Sequence, residues 1–120
     1  MSRIRLTLAA LVGGSLVLAV PATAGTSATP TLTGTDGPGF TITLKKGTVK
    51  VKSLKAGKYK IVIKDKSNIH NFHLTGPGVN KKTSVAAVTT VTWTVTLKKG
   101  TYRYVCDPHI SSMKGSFKVT

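Results

Sequence analysis

From about residue 40 to the C-terminus, apolar and polar side chains alternate one for one, a period of two that suits extended strands and no helix. Val49 and Val51 alternate with Lys50 and Lys52, and Tyr59, Ile61 and Ile63 alternate with Lys58, Lys60 and Lys64. Val91, Trp93, Val95 and Leu97 alternate with threonines, Tyr102 and Tyr104 flank Arg103, and Phe117 and Val119 flank Lys118. Phe40–Leu44 and Asn71–Thr75 complete the predicted strands. β-Branched and aromatic residues dominate these runs, as a pleated, half-buried surface favours. Lys45-Lys46-Gly47, Lys55-Ala56-Gly57, Gly76-Pro77-Gly78 and Lys98-Lys99-Gly100 punctuate them as turns. About 7–8 short strands at this spacing predict an all-β antiparallel sandwich or barrel.

The N-terminus reads differently. Arg3 and Arg5 precede an uncharged apolar run from Leu6 to Val20, and Ala22-Thr23-Ala24 offers small residues for cleavage before Gly25. Residues 1–24 therefore read as a secretory signal. The apolar run is shorter than the roughly 20 residues that span a bilayer. Residues 25–38, rich in Thr, Gly, Pro and Ala, read as a flexible lead-in to a domain over residues 39–120. Without Arg3 and Arg5, the 18 Lys and Arg fall to 16 against Asp36, Asp65 and Asp107, a net charge of +13. Such a surface favours acidic protein partners or an anionic membrane or cell-wall polymer. Nucleic acid is not the expected target of an exported chain, and a monomer is expected.

A lone cysteine in an oxidising compartment has no intrachain partner, so it is a buried thiol, an intermolecular bridge or a metal ligand. Its context selects the last. The chain ends in Tyr104-Val-Cys106-Asp-Pro-His109-Ile-Ser-Ser-Met113-Lys-Gly. A strand ends at Cys106, and the short loop after it presents an imidazole at His109 and a thioether at Met113. Upstream, Asn68-Ile-His70-Asn-Phe-His73 supplies a second imidazole. His70 and His73 differ by three and so face opposite sides of a strand. The turn signal of Ser67-Asn68 places His70 at the strand's start, near the Cys106 loop, and leaves His73 as a surface or sheet residue. His70, Cys106, His109 and Met113 then form two imidazoles, a thiolate and a weak axial thioether, the donor set of a type 1 copper site. Zinc sites ordinarily use paired Cys or His spacings, which this chain lacks.

These segments, His70-Asn71 upstream and Cys106-Asp-Pro-His109-x3-Met113-x-Gly near the end, resemble the cupredoxins, whose small members include plastocyanin, amicyanin and pseudoazurin. The resemblance spans residues 39–120. It implies a Greek-key β-sandwich of about eight strands, one type 1 copper per chain, and single-electron transfer. It also implies supporting roles for Asn71, which ties the ligand loops together, and for Asp107 beside the cysteine. Plastocyanins usually place four residues between the second His and the Met, whereas Ile110, Ser111 and Ser112 make three here.

Three functions differ in the residues they require. An exported electron carrier needs the four ligands and one solvent-facing imidazole. A periplasmic or extracellular copper carrier or buffer more often displays Met-rich and His-rich segments, whereas this chain has 2 Met and 3 His. A copper enzyme needs further histidine ligands, and only His73 remains after His70 and His109, so no enzymatic activity is expected.

Overall fold

The structure, a computed structural model, describes residues 13–21 and 27–120. Most of the expected signal segment, residues 1–12 and 22–24, lies outside the described residues. Ten strands and one short helical turn make up the rest. In chain order they are β1 (Thr31–Asp36), β2 (Ile42–Lys46), β3 (Val49–Lys50), β4 (Ser53–Leu54), β5 (Gly57–Asp65) and β6 (His73–Gly76). β7 (Val79–Lys82), β8 (Thr89–Leu97), β9 (Gly100–Val105), a 3-10 turn (Asp107–His109) and β10 (Lys114–Val119) follow.

The strands form two five-stranded sheets, ordered β3-β2-β1-β5-β8 and β4-β10-β9-β6-β7. The expected sandwich is present, with two additions to the expected topology. β1 pairs parallel with β5, and β4 pairs parallel with β10, whereas the other pairs are antiparallel. Parallel neighbours need a long return connection, and the excursion through β2, β3 and β4 provides it for β1 and β5. Ten strands replace the seven or eight expected because β1, β4 and β7 show no period of two: β4 is two residues long and β7 turns one apolar residue, Val79, inward.

The flexible lead-in over residues 25–38 is corrected. Residues 31–36 form β1, which lies between β2 and β5. Its inward positions are Leu32, Gly34 and Asp36, so only one of three is apolar and the period-two signal is hidden. Glycine is required at the middle position. A Cβ on Gly34 would lie 2.6 Å from Ile63 Cδ1 and 2.9 Å from the Phe72 ring. The missing side chain is the space into which Phe72 packs.

The core between the sheets follows the alternation. Leu32, Leu44, Ile61 and Ile63 from the first sheet are fully buried, as are Leu74, Tyr102 and Tyr104 from the second. Phe72 stacks on Tyr104 at 5.5 Å and 10°, and Tyr102 on Phe117 at 5.3 Å and 12°. Offset aromatic pairs of this kind add about 0.5–1.5 kcal/mol each beyond area burial. Both pairs stiffen the inner face of the second sheet, which carries the cysteine, and Phe72 reaches the first sheet through Trp93 on β8, 6.4 Å away between ring centroids.

Candidate metal centre

Two loops meet at one end of this sandwich because β6 and β9 are antiparallel neighbours, with His73 opposite Val105. The chain just before β6 therefore adjoins the chain just after β9. His70 lies in the first of these segments, three residues ahead of the strand, and Cys106 immediately follows β9. The sequence reading placed His70 at the strand's start; it stands in the loop that leads there.

After Cys106 the chain turns at once. Pro108 sits in the first turn of the Asp107–His109 helix, where its missing N–H leaves nothing unpaired. The His109 N–H donates to Cys106 O at 3.0 Å and the Met113 N–H to His109 O at 2.8 Å. The Cys106 N–H donates to Met113 O at 3.0 Å, closing the loop into a compact ring. His70, Cys106 and Met113 are completely buried, and His109 is half-buried, so one imidazole edge reaches solvent.

Three of the four expected ligands converge through identified donor atoms. His70 Nδ1 and His109 Nδ1 are 3.1 Å apart, Cys106 Sγ lies 3.5 Å from His109 Nδ1 and 3.7 Å from His70 Nδ1. A point equidistant from this triangle's corners is about 2 Å from each, a metal–nitrogen bond length and slightly short of a metal–sulfur one. Among the described residues this is the one cluster of His, Cys or acidic groups able to hold a metal. A cation at that point would be met by an imidazole nitrogen from each of two loops and by the cysteine sulfur. The soft thiol and imidazole donors, with Met113 buried on the same loop, are the set that suits copper.

The electrostatics agree. Burial pushes the Cys106 thiol up, and the backbone N–H groups of Asn71 and His109 pull only partly against it. A buried thiol of this kind stays protonated without a metal, whereas a coordinating cation deprotonates it outright. The Asn71 N–H points at Sγ from 3.4 Å. Phe40 covers the two imidazoles from outside, with its ring edge-on to His70 and to His109, both at 5.0 Å between centroids.

Behind the donors runs a polar latch. Asn71 Nδ2 donates to Asp107 Oδ2 at 2.8 Å and to Thr83 O at 3.3 Å, and the Asp107 N–H donates to Asn71 Oδ1 at 2.8 Å. Asn71 thus joins the two loops, and Asp107 faces it from the second. His73, read from sequence as a bland sheet residue, belongs to the same latch. Its Nδ1 lies 2.8 Å from Asp107 Oδ1 and its Nε2 2.7 Å from Asn80 Oδ1. Partial burial pushes the Asp107 carboxyl up, but hydrogen bonds from His73 and Asn71 and the nearby charges of His73 and Lys82 outweigh it and hold it below its ordinary value. Thr83 was also missed. Its Oγ1 accepts from the Phe72 N–H at 2.9 Å and donates to Asp65 Oδ2 at 2.7 Å. Nothing in a Lys-Thr-Ser stretch marks it, since only folding brings residue 83 beside residue 65.

Asp36 and Asp65 stand opposite one another on β1 and β5, both buried. Burial first, and then the neighbouring Asp65 carboxyl, push the Asp36 carboxyl, whose oxygens have no hydrogen-bond partner among the described residues, up from 3.8 to about 8. The folded chain therefore holds a proton there that the unfolded chain releases above its ordinary value. Stability from this group is fully present below pH 4 and is lost as pH rises toward 8, with a slope of at most about 1.4 kcal/mol per pH unit. Asp36→Asn keeps the shape and removes the titration. Urea unfolding of the metal-free protein at several pH values should show the parent losing stability from pH 5 to 8 relative to the variant; parallel curves would refute the retained proton on Asp36.

The cupredoxin-like domain profile matches residues 14–119 of the chain. No curated protein matches it by sequence. Among solved structures, reduced rusticyanin is 20% identical, with 80% of this chain and 82% of that chain covered and a TM-score of 0.56. A structure described as the copper protein rusticyanin is 18% identical over 79% of this chain and 80% of that one, with a TM-score of 0.55. Dithionite-reduced auracyanin from the photosynthetic bacterium Roseiflexus castenholzii is 20% identical over 78% of this chain and 99% of that one, also at 0.55. At these identities the likeness concerns the fold.

Proposed function

The chain belongs to the cupredoxin-like domain family, and from that premise we propose that it is an exported blue copper protein that carries single electrons between redox partners. The observation that carries this reading is the buried His70–Cys106–His109 triangle with only the His109 edge open to solvent. Copper, when bound, supplies the reversible Cu(II)/Cu(I) couple. His70 and Cys106 hold their donor atoms in place from two loops, and Met113, buried on the Cys106 loop, would add a thioether to the metal's donors. Asn71 orients the cysteine sulfur through its N–H and fixes the distance between the loops through its side chain. Phe40 lies edge-on against both rings and shields one side of each, and Ile110, exposed beside His109, gives the exit an apolar rim.

A carrier site needs little rearrangement between oxidation states, and a site fixed by two cross-linked loops satisfies that need. Metal delivery is less well served, because ligands buried this deeply exchange slowly. Export is supported by the charged start, apolar run and small-residue site of residues 1–24. The basic surface favours an acidic redox partner, so association should slow as salt rises.

Cyclic voltammetry of the copper-loaded protein is the direct test. We expect intense blue or green absorption and a reversible one-electron wave. Copper binding without a reversible wave, together with rapid loss of copper to a chelator, would leave the protein a metal carrier and sink the proposal.

A further inference from the structure

The outer side of the first sheet has an unusual make-up that the metal site does not explain. Register fixes which side chains share it. β1 and β8 present threonine at every outward position, and between them β5 presents Lys58, Lys60 and Lys64. Lys45 and Lys50, directly opposite one another on β2 and β3, extend the face to the sheet's edge. Val62 is the only outward residue on β5 that is not lysine. All five of these lysines are exposed.

No carboxylate balances them. The chain has three Asp and Glu in all. Asp36 and Asp65 point inward and are buried, and Asp107 is engaged with His73 beyond the end of β9 in the other sheet. Among the described residues the only ion pair is that between His73 and Asp107. Like charges directly opposite in a sheet are destabilising, and ordinary surfaces intersperse the two signs. The fold gains nothing from this arrangement, whereas an external anion would relieve it.

The chemistry of the face narrows the anion. Outward side chains recur about every 7 Å along a strand and about 4.8 Å between strands, a flat grid that suits an extended chain. Threonine hydroxyls both donate and accept hydrogen bonds, matching sugar hydroxyls lying between the charges. No aromatic side chain stands outward there to stack a nucleic-acid base. Val62 is the one apolar side chain that stands outward on β5, too little to anchor the face in a bilayer. We propose that this face binds a linear acidic polysaccharide. The donor cluster lies at the loop end of the sandwich, off this face, so the chain can be held on such a polymer with the His109 edge free. The proposal is independent of electron transfer.

Binding of the purified protein to polygalacturonate, a linear carboxylate glycan, by titration calorimetry at low salt tests it. The variant carrying Lys58→Thr, Lys60→Thr and Lys64→Thr should bind about tenfold more weakly or worse, with a shallower salt dependence, since fewer counterions are released. Threonine is a good strand former, so the sheet should persist. The double variant Lys45→Thr, Lys50→Thr provides a second reading and should lose affinity in part. A charge-matched control on the other sheet, Lys82→Thr, Arg103→Thr and Lys118→Thr, should lose less than about threefold. Equal losses in the control would reduce the effect to net charge and overturn the proposal, as would no binding. Tighter binding to vesicles of 30% phosphatidylglycerol in phosphatidylcholine, or to a 20-nucleotide oligothymidylate, would also overturn it by making a bilayer or a nucleic acid the occupant.

Discussion

Replacing Cys106 with serine should abolish the intense visible absorption of the copper-loaded protein while leaving the sandwich folded. The colour of a type 1 site arises from charge transfer between the thiolate and Cu(II), and this chain holds one cysteine. A serine oxygen cannot replace that donor. It can still accept the Asn71 N–H that now points at the sulfur, so no buried donor is orphaned, and the metal-free variant should lie within about 1 kcal/mol of the parent. Visible spectroscopy after copper addition and thermal unfolding of the metal-free form are the two measurements. Colour that survives the substitution would show that the metal is held elsewhere. A variant that does not fold would show that the thiol is a core residue before it is a ligand.

The second large effect is expected at Asn71. Its side chain makes three hydrogen bonds, two that join the His70 loop to the Cys106 loop at Asp107 and one to Thr83 O. Asn71→Ala strands the Thr83 carbonyl and the Asp107 N–H, and each unpaired buried group costs about 1–3 kcal/mol. The melting temperature of the metal-free protein should fall on the order of 10 °C or more for a domain of this size. The blue band should also shift or broaden, because the backbone N–H of residue 71 no longer holds its place against the sulfur. Asn71→Asp separates shape from charge. The new oxygen would face Asp107 Oδ2 where an amide now donates at 2.8 Å. This variant should be less stable than Asn71→Ala at neutral pH and recover as pH falls below the carboxylate range. A change under about 0.5 kcal/mol in Asn71→Ala would show that the latch is not what fixes the loops.

How much was legible follows from what each residue needs to be recognised. β5, β8, β9 and β10 carry apolar side chains at most inward positions, so a period of two exposes them in the sequence. β1 has the same geometry but turns Gly34 and Asp36 inward, each for a reason located elsewhere in the chain: the ring of Phe72 and the carboxyl of Asp65. Cys106, His109 and Met113 lie within one short loop, and their chemistry is readable as a group. His73, Thr83 and Phe40 belong to the site only through contacts across 34, 18 and 30 or more positions of chain, and a side chain that is ordinary by itself gives no local sign of such contacts.

The sequence by itself determined that this chain is built of strands and carries a Cys-His-Met loop fit for a soft metal, because periodicity and ligand softness are local properties. Folding alone decided that His73 braces Asp107 and that an apparently loose N-terminal stretch is a strand inside a sheet. Those outcomes depend on the register between β6 and β9 and on the parallel pairing of β1 with β5, and register is a relation between distant segments that no single segment contains.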